Sequence, residues 1–99
     1  MRAVVHAAAD TELADAVVYL EEQRRGSGAR FLKAYAEARD FIVEHPFSGR
    51  SGEFGTRHTP IGDFRHDIVY IVREDLLIVV AVAHHRRRPD YWLDRLTVG

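Results

Sequence analysis

Eight consecutive apolar residues, Leu76-Leu-Ile-Val-Val-Ala-Val-Ala83, run directly into a polar cluster, His84-His85-Arg86-Arg87-Arg88. The apolar run is rich in β-branched residues and too short to cross a bilayer, so it predicts a strand covered on both faces at the centre of a sheet. Pro89 suits the first position of a short helix, where its missing N–H is not needed, and Asp90 suits that helix's positive end. Tyr91 and Trp92 are then held beside the arginines, with Trp92 as the buried anchor of the tail.

The rest of the pattern falls around this strand. Residues 2–7 (RAVVHA) read as a short strand. Asp10 is placed to cap a helix over 10–25, in which Leu13, Val17 and Leu20 form the buried stripe and Gly26 supplies the stop. Ser27 is placed to cap a second helix, whose Phe31, Tyr35, Ala38 and Ile42 share one face and which ends at His45 because Pro46 follows. Such a short link implies an antiparallel helical hairpin. Residues 47–56 hold three glycines and no periodicity, and read as a loop. Strands over 57–61, 64–73 and 76–83, joined by turns at Gly62-Asp63 and Glu74-Asp75, then form a meander. The prediction is one α+β domain over residues 1–99: an N-terminal strand, a helical hairpin packed on an antiparallel sheet with a three-strand meander, and a short C-terminal helix.

If both turns hold two residues, Arg65 lies opposite His84 and His58 opposite Asp67, all on one face with Val69 and Val82. The other face carries Phe64, His66, Ile68, Tyr70 and Val72 with Leu77, Val79, Ala81, Ala83 and His85. Being the more apolar, it takes the helices and leaves the Arg65/Asp67/His58/His84 face partly open at one end.

Composition narrows the function. The 99 residues suffice for one modest core, and without cysteine there is neither a disulfide framework nor a thiolate metal site. The N-terminus has one arginine and no long apolar segment, which predicts no signal peptide, no membrane association and a cytoplasmic protein. Net charge is −1, yet 13 of the 14 basic residues are arginine. That bias suits phosphate or carboxylate contacts, and a GC-rich genome would produce it equally well.

Known chemical motifs are absent. Adjacent His84 and His85 point to opposite faces of a strand, and neither HxH nor HExxH occurs, so no metal and no cofactor is expected. No GxSxG elbow is present, and SGRSGEFG lacks the Gly-Lys-Ser/Thr of a phosphate-binding loop. Arg86-Arg87-Arg88 is the strongest functional candidate, because three consecutive guanidinium groups at a strand end outnumber Asp90 and Asp94 nearby. Flanked by Tyr91, they suit a nucleic-acid backbone or an acidic partner segment.

The stretch Leu77 to Trp92, LIVVAVAHHRRRPDYW, resembles the closing signature of the RelE/ParE superfamily of toxins from type II toxin–antitoxin systems, and most closely its ParE-like branch, the plasmid stabilisation proteins. Gly28-Ala-Arg-Phe-Leu32, the His45-Pro46 helix stop and Asp63-Phe64…Ile68-Val69-Tyr70 extend the resemblance along nearly the whole chain. It implies a toxin neutralised by a cognate antitoxin, with Arg65, His84, His85, Arg86, Arg87, Arg88 and Tyr91 as the candidate surface for target or antitoxin. ParE-like toxins poison DNA gyrase and need no catalytic residue. The RelE branch instead cuts mRNA on the ribosome, and on that alternative Arg57, His58, Arg65, Arg86 and Tyr91 would form the catalytic set. A degenerate, non-toxic interaction module is the third reading. Relatives usually carry Phe-Pro-Tyr-Arg-Ile-Ile-Tyr in the third strand, where this chain has Phe64-Arg65-His66-Asp67-Ile68-Val69-Tyr70. Asp67 thus stands at the usual arginine position, and an aspartate does not stabilise a phosphorane's negative charge.

Overall fold

The computed structural model describes residues 1–97. β1 (Arg2–Val5) leads into α1 (Ala7–Gln23), which begins earlier than the capping pattern predicts. His6 is the cap: its Nδ1 accepts the Ala8 N–H at 3.0 Å, and the Ala7-Ala8-Ala9 run that follows favours helix. Asp10 lies in the first turn, where a carboxylate meets the helix's positive end.

The hairpin closes differently from the simple capping prediction. α2 (Ser27–Glu44) follows Gly26, whose φ of 89° is the left-handed backbone that glycine adopts without strain. Ser27 does not cap α2. The Glu21 carboxylate of α1 does so, accepting the N–H groups of Gly26 at 2.9 Å and Gly28 at 3.0 Å. A β-carbon on Gly28 would lie 2.7 Å from the Val17 carbonyl oxygen, so only glycine permits the helices to approach this closely. α2 ends before Pro46, as that proline requires.

The sheet has five strands in the order β1-β5-β4-β3-β2, with β2 Arg50–Ser51, β3 Arg57–Pro60, β4 His66–Arg73 and β5 Leu76–His84. The α+β class and the helical hairpin are as the sequence predicts; β5 is an interior strand between β1 and β4, but the middle of the sheet is β4. β1 runs parallel to β5 while the other pairings are antiparallel, so the sheet is mixed. Within the glycine-rich segment, β2 and a single 3-10 turn at Glu53–Gly55 replace the featureless loop. The tail also differs: Asp90 has φ 65° and is not helical, so the closing 3-10 turn starts only at Leu93 and runs to Thr97.

Two register differences decide what the sheet presents. Between β3 and β4 the connection is longer than two residues, because Ile61 N–H donates to the His66 carbonyl and Phe64 N–H to that of Ile61. His58 therefore faces Val69 instead of Asp67, a shift of two that keeps it on the same face. Between β4 and β5 the tight turn is as predicted, with Arg73 opposite Leu76. A bulge then follows, since Val69 faces Ala81 while Tyr70 faces Val79, leaving Val80 unopposed. Beyond this bulge every β5 side chain changes face: His66 faces His84, and His85 takes the place beside Asp67 predicted for His84.

The helices cover the face predicted for them. Phe31, Tyr35 and Ile42 of α2 pack with Ile68, Tyr70, Leu77, Val79 and Val82. A second, smaller cluster on the opposite face joins Val69, Ile71, Val80 and Ala81 to the buried Trp92 of the tail. That tail covers only part of the second face. No helix among the described residues is long and apolar enough to cross a membrane.

Candidate functional site

The uncovered end of the second face is a cleft of about 480 Å³. Alternation along β4 points Asp67 and Val69 into it, β3 contributes His58 and Pro60, β5 contributes Ala83, and His85 follows directly after β5. Arg50 of β2 stands on one side. On the other, the chain leaves β5 in a tight turn, Arg87 N–H donating to the His84 carbonyl, and carries Arg87 and Arg88 to the rim. Asp90, Tyr91 and Trp92 close the end.

Asp67 is the cleft's fixed point. It is buried, and its two carboxylate oxygens are both taken: Oδ2 by Arg50 at 2.9 Å and Oδ1 by His85 at 3.1 Å. Burial works against its ionisation, but the hydrogen bonds and charges of Arg50 and His85 outweigh that and hold its pKa below the ordinary aspartate value. Arg50 spends one nitrogen on this bond and is otherwise exposed. His58 packs edge-on to Trp92 with ring centroids 6.0 Å apart. Burial and the Arg50 charge lower its pKa against the opposing pull of Asp67 and Asp90, so it is neutral at pH 7.

Tyr91 is held by the opposite side of the molecule. Its hydroxyl donates to Glu12 of α1 at 2.7 Å, and the Arg87 guanidinium lies 3.9 Å over its ring. Burial, then the hydrogen bond and charge of Glu12, raise its pKa well above the ordinary tyrosine value. A hydroxyl so held is a poor proton donor or acceptor near neutral pH.

Of the residues singled out from sequence, His58, His84, His85, Arg87, Arg88 and Tyr91 border the cleft, and Arg57, Arg65 and Arg86 do not. Arg57 pins the 47–49 segment, donating to the carbonyls of Phe47 and Gly49. Arg65 lies exposed in the β3–β4 connection rather than on the strand face shared with Asp67, and its carbonyl accepts the His85 N–H. His84 turns towards the helices, 4.8 Å from the His66 ring, and its Nδ1 accepts the Arg86 N–H. The geometry therefore does not gather Arg57, His58, Arg65, Arg86 and Tyr91 around one point. Arg50 and Glu12 were not legible as site residues: Arg50 sits on a strand too short for periodicity, and Glu12 meets Tyr91 only across the fold. Among the described residues no group of three or more His, Cys, Asp or Glu side chains is placed to hold a metal ion.

The family model described as "ParE toxin of type II toxin-antitoxin system, parDE" matches residues 3–89. No curated protein sequence matches the chain. Among solved structures, a chain of the chromosomal ParDE TA system from P. aeruginosa superposes with a TM-score of 0.75 at 12% identity, covering 85% of this chain and 95% of that one. That likeness is one of fold.

Proposed function

The chain belongs to the ParE toxin family of type II toxin–antitoxin systems, and from that membership we propose that it restrains growth by poisoning DNA gyrase and is silenced by a cognate antitoxin. The observation that carries the choice of target is the state of Asp67. A ribonuclease must stabilise negative charge on a phosphorane and needs a proton donor and acceptor within reach of it. In this cleft the position that would hold a cation is a buried carboxylate, already engaged by Arg50 and His85. The tail tyrosine has given its hydroxyl to Glu12. Poisoning another enzyme requires neither group to be free, since a bound surface that stalls a partner's reaction needs only complementarity.

The antitoxin reading has support in the basic edge. Arg86, Arg87 and Arg88 are exposed, and none makes a salt bridge among the described residues. An antitoxin segment lying across the sheet and the hairpin would bring acidic side chains to this edge. The test of target is a supercoiling reaction with purified gyrase, relaxed plasmid and ATP. Adding the toxin should halt supercoiling and leave protein-linked linear plasmid. Undisturbed supercoiling at a large molar excess of toxin would refute the assignment.

A further inference from the structure

We propose that the cleft holds a single strand of nucleic acid, with one base on its apolar floor and the flanking phosphodiesters on Arg50, Arg87 and Arg88. The inference rests on the gyrase reading for the source of the strand, which is DNA opened by that enzyme. It makes the toxin a ligand of the enzyme–DNA complex and not of the protein alone.

Ala83 and Pro60 form a floor of small apolar groups over the buried Val69, with Arg50 on one side and Arg87 and Arg88 on the other. Two carboxylates share the cleft, Asp67 and Asp90. Asp67 is cancelled in place by Arg50 and hydrogen-bonded to His85, and Arg50 keeps further donors because only one of its nitrogens is engaged. Asp90 is thus set against two rim arginines, while Arg86 and Arg65 add positive charge outside the cleft. The site is locally cationic on a chain whose net charge is −1.

Shape chooses between anions. At about 480 Å³ the cleft is of the size that takes one small molecule or one residue of a polymer. A duplex presents a convex backbone and buries its bases, so it has nothing to place on the floor. An acidic peptide satisfies the arginines but leaves the apolar floor wet. A splayed nucleotide uses both, its ring on Pro60 and Ala83 and its phosphates on the guanidinium forks. Arg87 is already held near the cleft, since its guanidinium carbon lies 3.9 Å from the Tyr91 ring centre while the side chain remains exposed. Stacked guanidinium planes also take bases on their free face.

Direct binding measured without gyrase separates this inference from the choice of target. Fluorescence anisotropy of the purified toxin would be recorded against labelled single-stranded DNA, RNA of the same sequence, duplex DNA and a polyglutamate peptide of matched charge. Single strands should bind with a log–log salt slope of about −1.4, because each of the two flanking phosphates contacted on a single strand contributes roughly −0.7. Arg87→Gln and Arg88→Gln should each weaken binding about fivefold and flatten the slope, while Arg86→Gln, which removes only a charge outside the cleft, should weaken it less than about twofold. Tighter binding of DNA than RNA supports the gyrase-opened strand as the source; tighter binding of RNA overturns that source. Equal binding of duplex or polyglutamate, or an Arg86→Gln loss as large as that of Arg88→Gln, overturns the inference. Plasmid trapping by gyrase with no strand binding would refute the inference alone, and strand binding without trapping would refute the gyrase reading alone.

Discussion

Glu12 and Arg95, 83 residues apart, form a two-pronged ion pair that completes the outer edge of β5 where β1 has ended. β1 pairs with Leu76 to Val79 and goes no further. Beyond it the Glu12 carboxylate accepts the Val82 N–H at 3.0 Å, and Arg95 donates to the Val80 carbonyl at 3.0 Å. Two side chains thus satisfy backbone groups that a longer strand would have paired. The same carboxylate takes the Tyr91 hydroxyl, so helix, sheet edge and tail meet in one group.

Glu12→Ala should therefore cost about 2–4 kcal/mol, because it leaves a mostly buried guanidinium without its counter-ion and the Val82 N–H without a partner. Urea unfolding measures it directly. The tail should loosen at the same time, read as a red shift of Trp92 fluorescence. A midpoint equal to wild type would show that the edge does not need the pair.

Acid should weaken the fold in two stages. Burial, with the His84 and His85 charges, lowers the His66 pKa to about 4 from an ordinary 6.5, and its Nδ1 is buried without a hydrogen-bond partner. The unfolded chain takes up that proton below pH 6.5 while the folded chain refuses it until about pH 4, so stability falls as pH drops through this window. Below it the lowered carboxyls of Glu12 and Asp67 act in the same direction: their stabilisation is present above the ordinary carboxyl values and is lost as pH falls through the depressed ones. His66→Phe should flatten the melting temperature between pH 6.5 and 4. An unaltered slope would remove His66 from the account.

Trp92 is 3% exposed and anchors the second cluster. Trp92→Ala should cost roughly 3–5 kcal/mol, a large share of what a small domain possesses. Melting within a degree or two of wild type would show that the tail contributes nothing.

Antitoxin binding should depend on the basic edge. Replacing Arg86, Arg87 and Arg88 together by alanine should weaken the complex about tenfold or more at low salt, with the difference shrinking by about 0.5 M salt. Titration calorimetry at two ionic strengths checks both halves. Equal affinities at low and high salt for wild type would remove the electrostatic argument.

The elements whose side chains repeat regularly were legible before the fold was known. Phe31, Tyr35 and Ile42 occupy the buried stripe of α2, and β5 lies inside the sheet with a strand on each side, because burial leaves a periodic or continuous apolar signature. The face of each residue at the end of β5 was not legible. Val79-Val80-Ala81-Val82 is apolar throughout, so a bulge at Val80 leaves no trace in the pattern, yet it moves His84 to the helices and His85 to Asp67. The Arg50–Asp67 and Glu12–Arg95 pairs are likewise products of the fold, joining short or unremarkable stretches far apart in the chain.

Gyrase poisoning without ribonuclease activity is the central claim, and cleavage of message on translating ribosomes tests it most directly. Purified toxin would be added to a defined translation reaction, at concentrations that trap cleaved plasmid with gyrase, and the message mapped by primer extension. Intact message is expected, because Asp67 occupies the cation's place and Glu12 holds the Tyr91 hydroxyl. Cuts in the ribosomal A site that disappear with Arg86→Ala or Tyr91→Phe would contradict it.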